Sequence, residues 1–435
     1  MEPPRKLMNR NFALLWQGQS ISRVGDQVFE VALLFFVKHL TDSAALVGLM
    51  MMVSALPAVL LGPIGGTFAD RHSRRKILIA ADTINGLVVI ALAALVLLAP
   101  EATDFALILV FVTAVVIATA AAFFNPAISA SIPDLVPQDR VAGANSLNQM
   151  SAQLALFLGQ GLGGVLFRLL GAPLLFLFNG VSYLFAAGSE SFVKIPQVIP
   201  EKSLHWREQF RDFKRDTLIG FRFVWRHSGL RMLVLVSAFL NFFSVPVIVL
   251  LPFFVEDILK VPVDWYGFIV AATGVGALIG YIFAGAIRLS NLARGRLLLA
   301  FIIAESFGYG LLGFVREPVT ALILGLLDGF VSGVVMVNVT TLLQLTTPSE
   351  MRGRVFGLLG TISGSLTPIA MGLAGVIADL LNRDIPLIYV ACGAIMVALS
   401  SLVALNRTFR EFLAYESPDV AADVTPAVTT PIVSS

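Results

Sequence analysis

The sequence is poor in charge and almost without cysteine. Charged residues make up 13% of its 435, and the single cysteine, Cys392, lies inside an apolar run where neither a disulfide nor a thiolate ligand is expected. The four histidines, His39, His72, His205 and His227, fall in or beside polar stretches at spacings that match no metal site. No helix-borne group of His, Cys and carboxylate points to an enzyme, and no Gly-x-x-x-x-Gly-Lys-Ser/Thr loop is there to draw work from ATP. A net charge of +2 gives no reason to expect nucleic acid as a partner. Period-two alternation is missing as well, which argues against a β-barrel.

Apolar residues fill the space, at 57% of the chain. Twelve runs reach the roughly 18 to 25 residues that cross a hydrocarbon core, the first at 12–38, the sixth at 172–193, the seventh at 230–254 and the last at 386–405. Backbone groups in lipid must be satisfied within their own segment, so each run is expected to be a helix. The fold class expected is an all-α integral membrane protein with twelve transmembrane helices. Cations set its orientation, because Lys and Arg of short loops stay on the cytoplasmic side. With the N-terminus inside, the outer turns carry only Lys38, Arg168, Lys260, Arg316 and Arg383 of the 30 cations. Both termini are therefore expected in the cytoplasm, at an inner (cell) membrane. The opening segment lacks a small-residue cleavage site, and the first run is interrupted by Arg23 and Asp26, so it reads as a retained helix.

The longest internal polar stretch divides six runs from six. The expected units are a six-helix bundle over 1–193, a cytoplasmic linker over 194–229, a second bundle over 230–406, and a disordered tail over 407–435. Within the linker, Trp206, Phe210, Phe213, Thr217, Phe221 and Val224 recur at steps of three or four, with Arg207, Arg211, Lys214, Arg215 and Arg222 on other faces. That pattern is an amphipathic helix for the cytoplasmic leaflet. Two short echoes, Gly66-Thr67-Phe68-Ala69 with Tyr281-Ile282-Phe283-Ala284 and Arg140-Val141-Ala142-Gly143 with Arg354-Val355-Phe356-Gly357, lie about half the chain apart. They favour a duplicated, pseudo-symmetric unit.

Between the second and third runs stands Gly66-x-Phe68-Ala69-Asp70-Arg71-x-Ser73-Arg74-Arg75-Lys76. It resembles the loop signature of the major facilitator superfamily, with Phe68 for Leu and Ser73 for Gly. Phe124-Asn125-Pro126-Ala127, Ile132-Pro133-Asp134-Leu135-Val136-Pro137 and Thr347 to Val355 resemble the macrolide-efflux and siderophore-exporter branch. Gly159-Gln160-Gly161-Leu162-Gly163-Gly164 is similar to the helix-five element of drug:proton antiporters, with Gln160 where proline is usual; the same small residues also let helices pack closely. The resemblance implies a secondary exporter of amphipathic small molecules, run by the proton motive force with no bound cofactor. Its expected partners are that substrate and the lipid bilayer. A uniporter or lipid facilitator of the same fold is the alternative, and a membrane sensor without transport is the alternative of another class. Many members carry an arginine in helix four, whereas 105–124 holds no charge.

Charge within a membrane helix is costly and marks a cavity or a partner. Gln19, Arg23, Asp26, Gln27 and Glu30 share one broad face of the first helix. By resemblance, helices one, four, seven and ten line the central cavity, so Asp328, Asn241 and Asn338 are expected to meet that face. Phe29, Phe242, Phe243 and Met336 are candidates for its apolar wall. Asp26 and Glu30 are one turn apart, so ionising both costs repulsion. Arg23 steadies Asp26, leaving Glu30 as the expected proton carrier and Asp328 as its rival. Glu305 has no assigned role. The loop is expected to form a cytoplasmic gate in which Asp70 reaches the N-terminus of helix eleven, Asp82 or Asp134 holds Arg71 and Arg75, and Gly66 and Arg74 complete the set.

Overall fold

The computed structural model describes residues 6–197, 206–287 and 290–414. Among the described residues every regular element is helical. In chain order they are α1 (Arg10–Thr41), α2 (Ala44–Arg71), α3 (Arg74–Leu98), α4 (Thr103–Leu135), α5 (Val141–Glu190), α6 (Trp206–Arg226), α7 (Ser228–Phe253), α8 (Asp264–Ala286), α9 (Asn291–Leu312), α10 (Pro318–Thr346), α11 (Ser349–Leu380), α12 (Ile385–Leu405) and α13 (Arg407–Leu413). Ten segments among these residues are long and apolar enough to cross a membrane. The chain is thus a multi-pass membrane protein. α1 is not one of the ten, because Arg23, Asp26, Glu30 and Lys38 interrupt it. α5 counts once although Gly171, at φ 74 and ψ 165, breaks it into two arms, 141–170 and 172–190. That left-handed backbone suits glycine and turns the chain back on itself, with Pro173 stiffening the start of the second arm.

α1 packs on α5, α5 on α3, α3 on α4 and α4 on α2. α8 packs on α10, α10 on α9, α9 on α12, and α7 on both α11 and α12. Two seams join these groups, α2 against α11 and α5 against α8. The apolar core explains the shape. At the end bearing residues 38–43 one continuous core runs through both groups, from Val31 and Phe35 through Val47 and Phe176 to Phe253, Phe254, Ala374 and Tyr389. At the other end it splits in two. Phe12, Leu15, Leu78, Ile132 and Leu135 form one core, and Leu230, Leu233, Leu298, Leu342 and Phe409 form another. The first end is closed and the second is open.

The seams need close backbones at the closed end. A methyl group on Gly375 of α11 would overlap the carbonyl oxygen of Ala44, and one on Gly48 of α2 would lie 2.5 Å from that of Met371. Toward the open end the same helices part, and nothing lies within 4 Å of a methyl built on Gly62, Gly66, Gly360 or Gly364. α8 and α10 also pack backbone to backbone, with Gly329 on the Thr273 carbonyl and Gly276 on that of Leu326. Gly329→Val is expected to destabilise the fold by about 3 kcal/mol or more, since backbone cannot yield as a flexible side chain can. A melting temperature equal to that of the parent protein would count against this packing.

One expectation is corrected here. Residues 407–413 are helical, not disordered. Asn406 caps α13 by accepting from Phe409 N at 3.1 Å, and Phe409 and Leu413, one turn apart, are buried in the core of the open end. Residues 415–435 of the expected tail lie outside the described residues, as do 198–205 of the linker. The amphipathic helix α6 forms, but it packs on α11 and α7 through Gly220 and the buried Val224. Leu218, Phe221 and Trp225 remain exposed, the last two stacked at 4.8 Å.

Candidate transport cavity

Among the described residues, two cavities between the helices bear on transport. The smaller, of about 460 Å³, is lined by Gln19, Arg23, Asp26, Gln27, Phe29 and Glu30 of α1, with Asp82 and Asn85 of α3, Asn125 of α4 and Tyr183 of α5. The larger, of about 1070 Å³, lies among α5, α7, α8 and α10; Phe157, Phe254, Tyr266 and Tyr309 line it, with Asp328 at one side. Glu30, Leu34 and Met51 border both. Glu30 is the one charged residue common to the two linings, and its side chain is exposed to them.

The polar face of α1 does meet in one place, but its internal pairing differs from the expectation. Arg23 does not clasp Asp26. Its Nη1 donates to Asn148 O and to Ser151 Oγ, both at 2.9 Å, and its Nη2 to Asn148 Oδ1 at 2.8 Å. Asp26 instead accepts from Asn179 Nδ2 at 3.4 Å and faces the Tyr183 hydroxyl. The reason is reach: the first arm of α5 packs on α1 and offers Arg23 three acceptors. Gln160, which replaces the usual proline, donates to Gln27 Oε1 at 3.0 Å and lines the larger cavity. The glycines of that motif pack α5 closely, Gly159 on Gln27, Gly163 on Val31 and Gly164 on the Val263 carbonyl.

Asp328 does not join this face. It borders the larger cavity with its buried Oδ1 unpartnered, near Glu305, which accepts from Ser332 Oγ at 2.9 Å. Glu305 thereby gains a place in a polar group between α9 and α10. Asn241 accepts from Thr367 Oγ1 at 2.9 Å and Asn338 donates to Val334 O at 2.9 Å; neither is among the residues lining the two cavities. Of the aromatic and Met candidates only Phe29 lines one.

The charged loop is at the open end, and all its described contacts lie within the first helix group. Arg74 pairs with Asp134 at 2.5 Å, approaches Asp70 at 3.7 Å and donates to Ala130 O at 2.8 Å. Arg75 donates to the Ser191 carbonyl. Gln197, absent from the expectation, accepts from Arg74 N at 2.9 Å and donates to Ala69 O and His72 O. Asp134 therefore holds Arg74, and Arg75 turns to the Ser191 carbonyl instead. Asp82 lies deeper than the gate, 2% exposed and bonded to Gln19, because it is two turns beyond Arg75 along α3. Ser73 stands where glycine is usual because it caps α3 from φ −58, accepting from Lys76 N.

Sequence reasoning missed the closed end. Lys38, 5% exposed, donates to Glu256 at 2.7 Å and to Asp257 at 2.9 Å, and His39 meets Glu256 at 3.0 Å. A one-turn π-helix, Phe254–Ile258, presents both carboxylates. Asp379 of α11 accepts from Ser43 Oγ at 2.6 Å, Ala44 N at 3.0 Å and Ala45 N at 2.9 Å, seated on the positive end of α2. Arg383 pairs with Asp42, whose carboxylate holds the guanidinium above its ordinary pKa, and Arg168 pairs with Asp264. All these bonds join the two helix groups. Among the described residues the non-glycine positions of positive φ, Asp42, Lys260, Asn382 and Arg383, also lie in turns at this end. One signal was legible: Lys38, Arg168 and Arg383 are three of the five cations on the cation-poor side.

A family model described as "Transmembrane secretion effector" matches residues 3–430. The chain belongs to that family, within the major facilitator superfamily. Macrolide efflux protein A of Streptococcus pyogenes is 26% identical over 377 residues, 85% of this chain and 89% of that protein. The enterobactin exporter EntS of Shigella boydii is 26% identical over 382 residues, 83% and 88% of the two chains. The structure of the nucleoside transporter NupG superposes with a TM-score of 0.71 at 12% identity, covering 94% of this chain and all of that one, a likeness of fold. The family and these relatives are transporters, not enzymes, and the chain is a membrane transporter of the efflux branch.

Proposed function

We propose that this protein exports amphipathic small molecules in exchange for protons, through twelve membrane crossings arranged as two six-helix bundles. α1 and the two arms of α5 bring the crossings to twelve, and the packing groups follow the half-chain division. The cation-rich loops belong to the open end, so that end is cytoplasmic, at the inner membrane with both termini inside, and the cavity faces inward.

The observation that carries the coupling is Glu30, the acidic group shared by the polar smaller cavity and the largely apolar larger one. A substrate in the larger cavity and a proton arriving through the smaller one compete for the same carboxyl, which is what exchange requires. The larger cavity, rich in aromatic and aliphatic walls with few polar groups, suits a bulky amphipathic substrate. Asp328, bordering only the larger cavity, selects among substrates. When the open end closes, Asp70 reaches the N-terminus of α11 and latches it; Asp70→Asn is expected to slow transport severalfold and to raise labelling of single cysteines introduced on the cytoplasmic side. Unchanged labelling would remove the latch.

Reconstitution in liposomes tests the whole reading. Addition of a macrolide or catecholate probe to vesicles holding a pH gradient is expected to discharge that gradient. Probe movement without proton movement would make the protein a uniporter, and movement of neither, across a panel of such probes, would make it a sensor.

A further inference from the structure

The first helix group holds a second set of acidic side chains with no role in the exchange described above. Gln19 of α1 donates from Nε2 to Asp82 Oδ2 of α3 at 3.2 Å and to Glu190 Oε1, at the end of α5, at 2.8 Å. The three residues are 4%, 2% and 1% exposed. Glu190 Oε2 and Asn85 Oδ1, the latter one turn from Asp82, are buried without a hydrogen-bond partner.

Among the described residues no cation answers this charge. Neither carboxyl has a Lys, Arg or His partner within ion-pair distance among the described residues. On α1 the charged neighbours are Arg23, committed to Asn148 and Ser151, and the acidic Asp26 and Glu30. α5 contributes the Tyr183 hydroxyl, which faces Asp26. On α3 Arg75 lies two turns nearer the open end, on the Ser191 carbonyl; from α4 comes Asp134, paired with Arg74, and from α2 the terminal Asp70 and Arg71.

Two carboxylates this close and this deep repel too strongly to be ionised together. A carboxylate oxygen buried without a donor adds its full desolvation cost. A metal ion would relieve neither, because the Gln19 amide already points its N–H groups at both carboxyls, and hard cations need six or so oxygen ligands. A proton needs no such room.

We infer that Asp82 and Glu190 form a proton-binding dyad, reached from the smaller cavity through Asp82 and distinct from Glu30. Asp82 lines that cavity and Glu190 stands behind it. A proton passes from cavity water to the Asp82 carboxylate, and Gln19 holds both groups in register, so the pair carries one negative charge or none. Its titration belongs to the pair and not to either residue.

Infrared difference spectra of the full chain in nanodiscs, followed through the C=O stretch of protonated carboxyls across a pH titration, test this. The parent protein is expected to show a buried-carboxyl band that loses one of its two protonated carboxyls in a single step and keeps the other across the titration. Asp82→Asn and Glu190→Gln should each leave a lone carboxyl that ionises completely with no retained fraction, the double variant should lose both contributions, and Glu30→Gln should keep them. Melting curves establish that the near-isosteric variants fold, and if the double variant does not, the two single variants carry the same test. Exchange of K⁺ for Na⁺ should leave the band unmoved. A band that survives the double substitution, or that Na⁺ displaces, overturns the dyad. The dyad stands or falls apart from the exchange reading, since Glu30→Gln is scored by transport and the dyad by its own band.

Discussion

Glu30→Gln abolishes pH-driven accumulation in vesicles and leaves substrate binding largely intact: that is the expected result for the carboxyl shared by both cavities. Exchange of one proton for one uncharged substrate concentrates that substrate up to about tenfold per pH unit, because one unit is worth ~1.36 kcal/mol. Glutamine has the shape of the protonated acid and cannot release a proton, so the inside and outside concentrations should become equal. Gln160 and Tyr266 keep the walls of the larger cavity in place, so binding survives. Asp328→Asn should instead alter substrate preference while the pH gradient still drives uptake. Vesicles with Glu30→Gln that still concentrate substrate when only a pH difference is imposed would remove Glu30 as carrier and move the role to Asp328.

Lys38→Met should swing the protein toward the state in which the present closed end is open. Lys38 serves two carboxylates at once from a buried position, and its loss leaves Glu256 and Asp257 facing each other without their shared ammonium. Lys38 is buried but Glu256 and Asp257 reach solvent and Glu256 keeps His39, so losing the ammonium costs about 1–2 kcal/mol, less than for a fully buried pair. The cost falls only on the state that makes the pair, so the balance between states shifts by about tenfold. Spin labels at positions 42 and 383, across the two helix groups at this end, should report a longer distance in Lys38→Met than in the parent protein. An unchanged distance would mean that the Asp379 contacts and the apolar core hold this end shut without Lys38.

The sites differ in how much of them one chain of letters can carry. The stripe on α1 was legible because residues at steps of three and four share a face whatever surrounds them. The charged loop was legible because charge between two apolar runs has few places to go. Glu190, by contrast, ends an apolar run and reads as a boundary residue, while in the fold it is 1% exposed and bonded through Gln19 to α3. Asp379 likewise reads as the polar end of a helix, yet it seats on the N-terminus of α2, more than three hundred positions earlier in the chain. The helix at 407–413 is not legible in the sequence because Phe409 and Leu413 are too few to show a period, and only the core of α7 and α9 makes their burial worthwhile.

The sequence by itself determined the solvent, the helical state of the apolar runs and the family, since each rests on local quantities: apolar length, the need to satisfy backbone groups in lipid, and a contiguous motif. It also determined which residues of α1 share a face. Only the tertiary structure decided their partners. Arg23 turns to α5 and not to Asp26, Asp82 belongs to a buried acidic group and not to a gate, and Asp328 opens onto a separate cavity. Which end is closed was likewise invisible in the chain, because it depends on whether two apolar cores, far apart in sequence, merge or part across the seams of α2 with α11 and α5 with α8. Helix periodicity fixes the direction of a side chain about its own axis; what that direction meets is set by the rotation and crossing of its neighbours, which are properties of pairs of helices and not of any one segment.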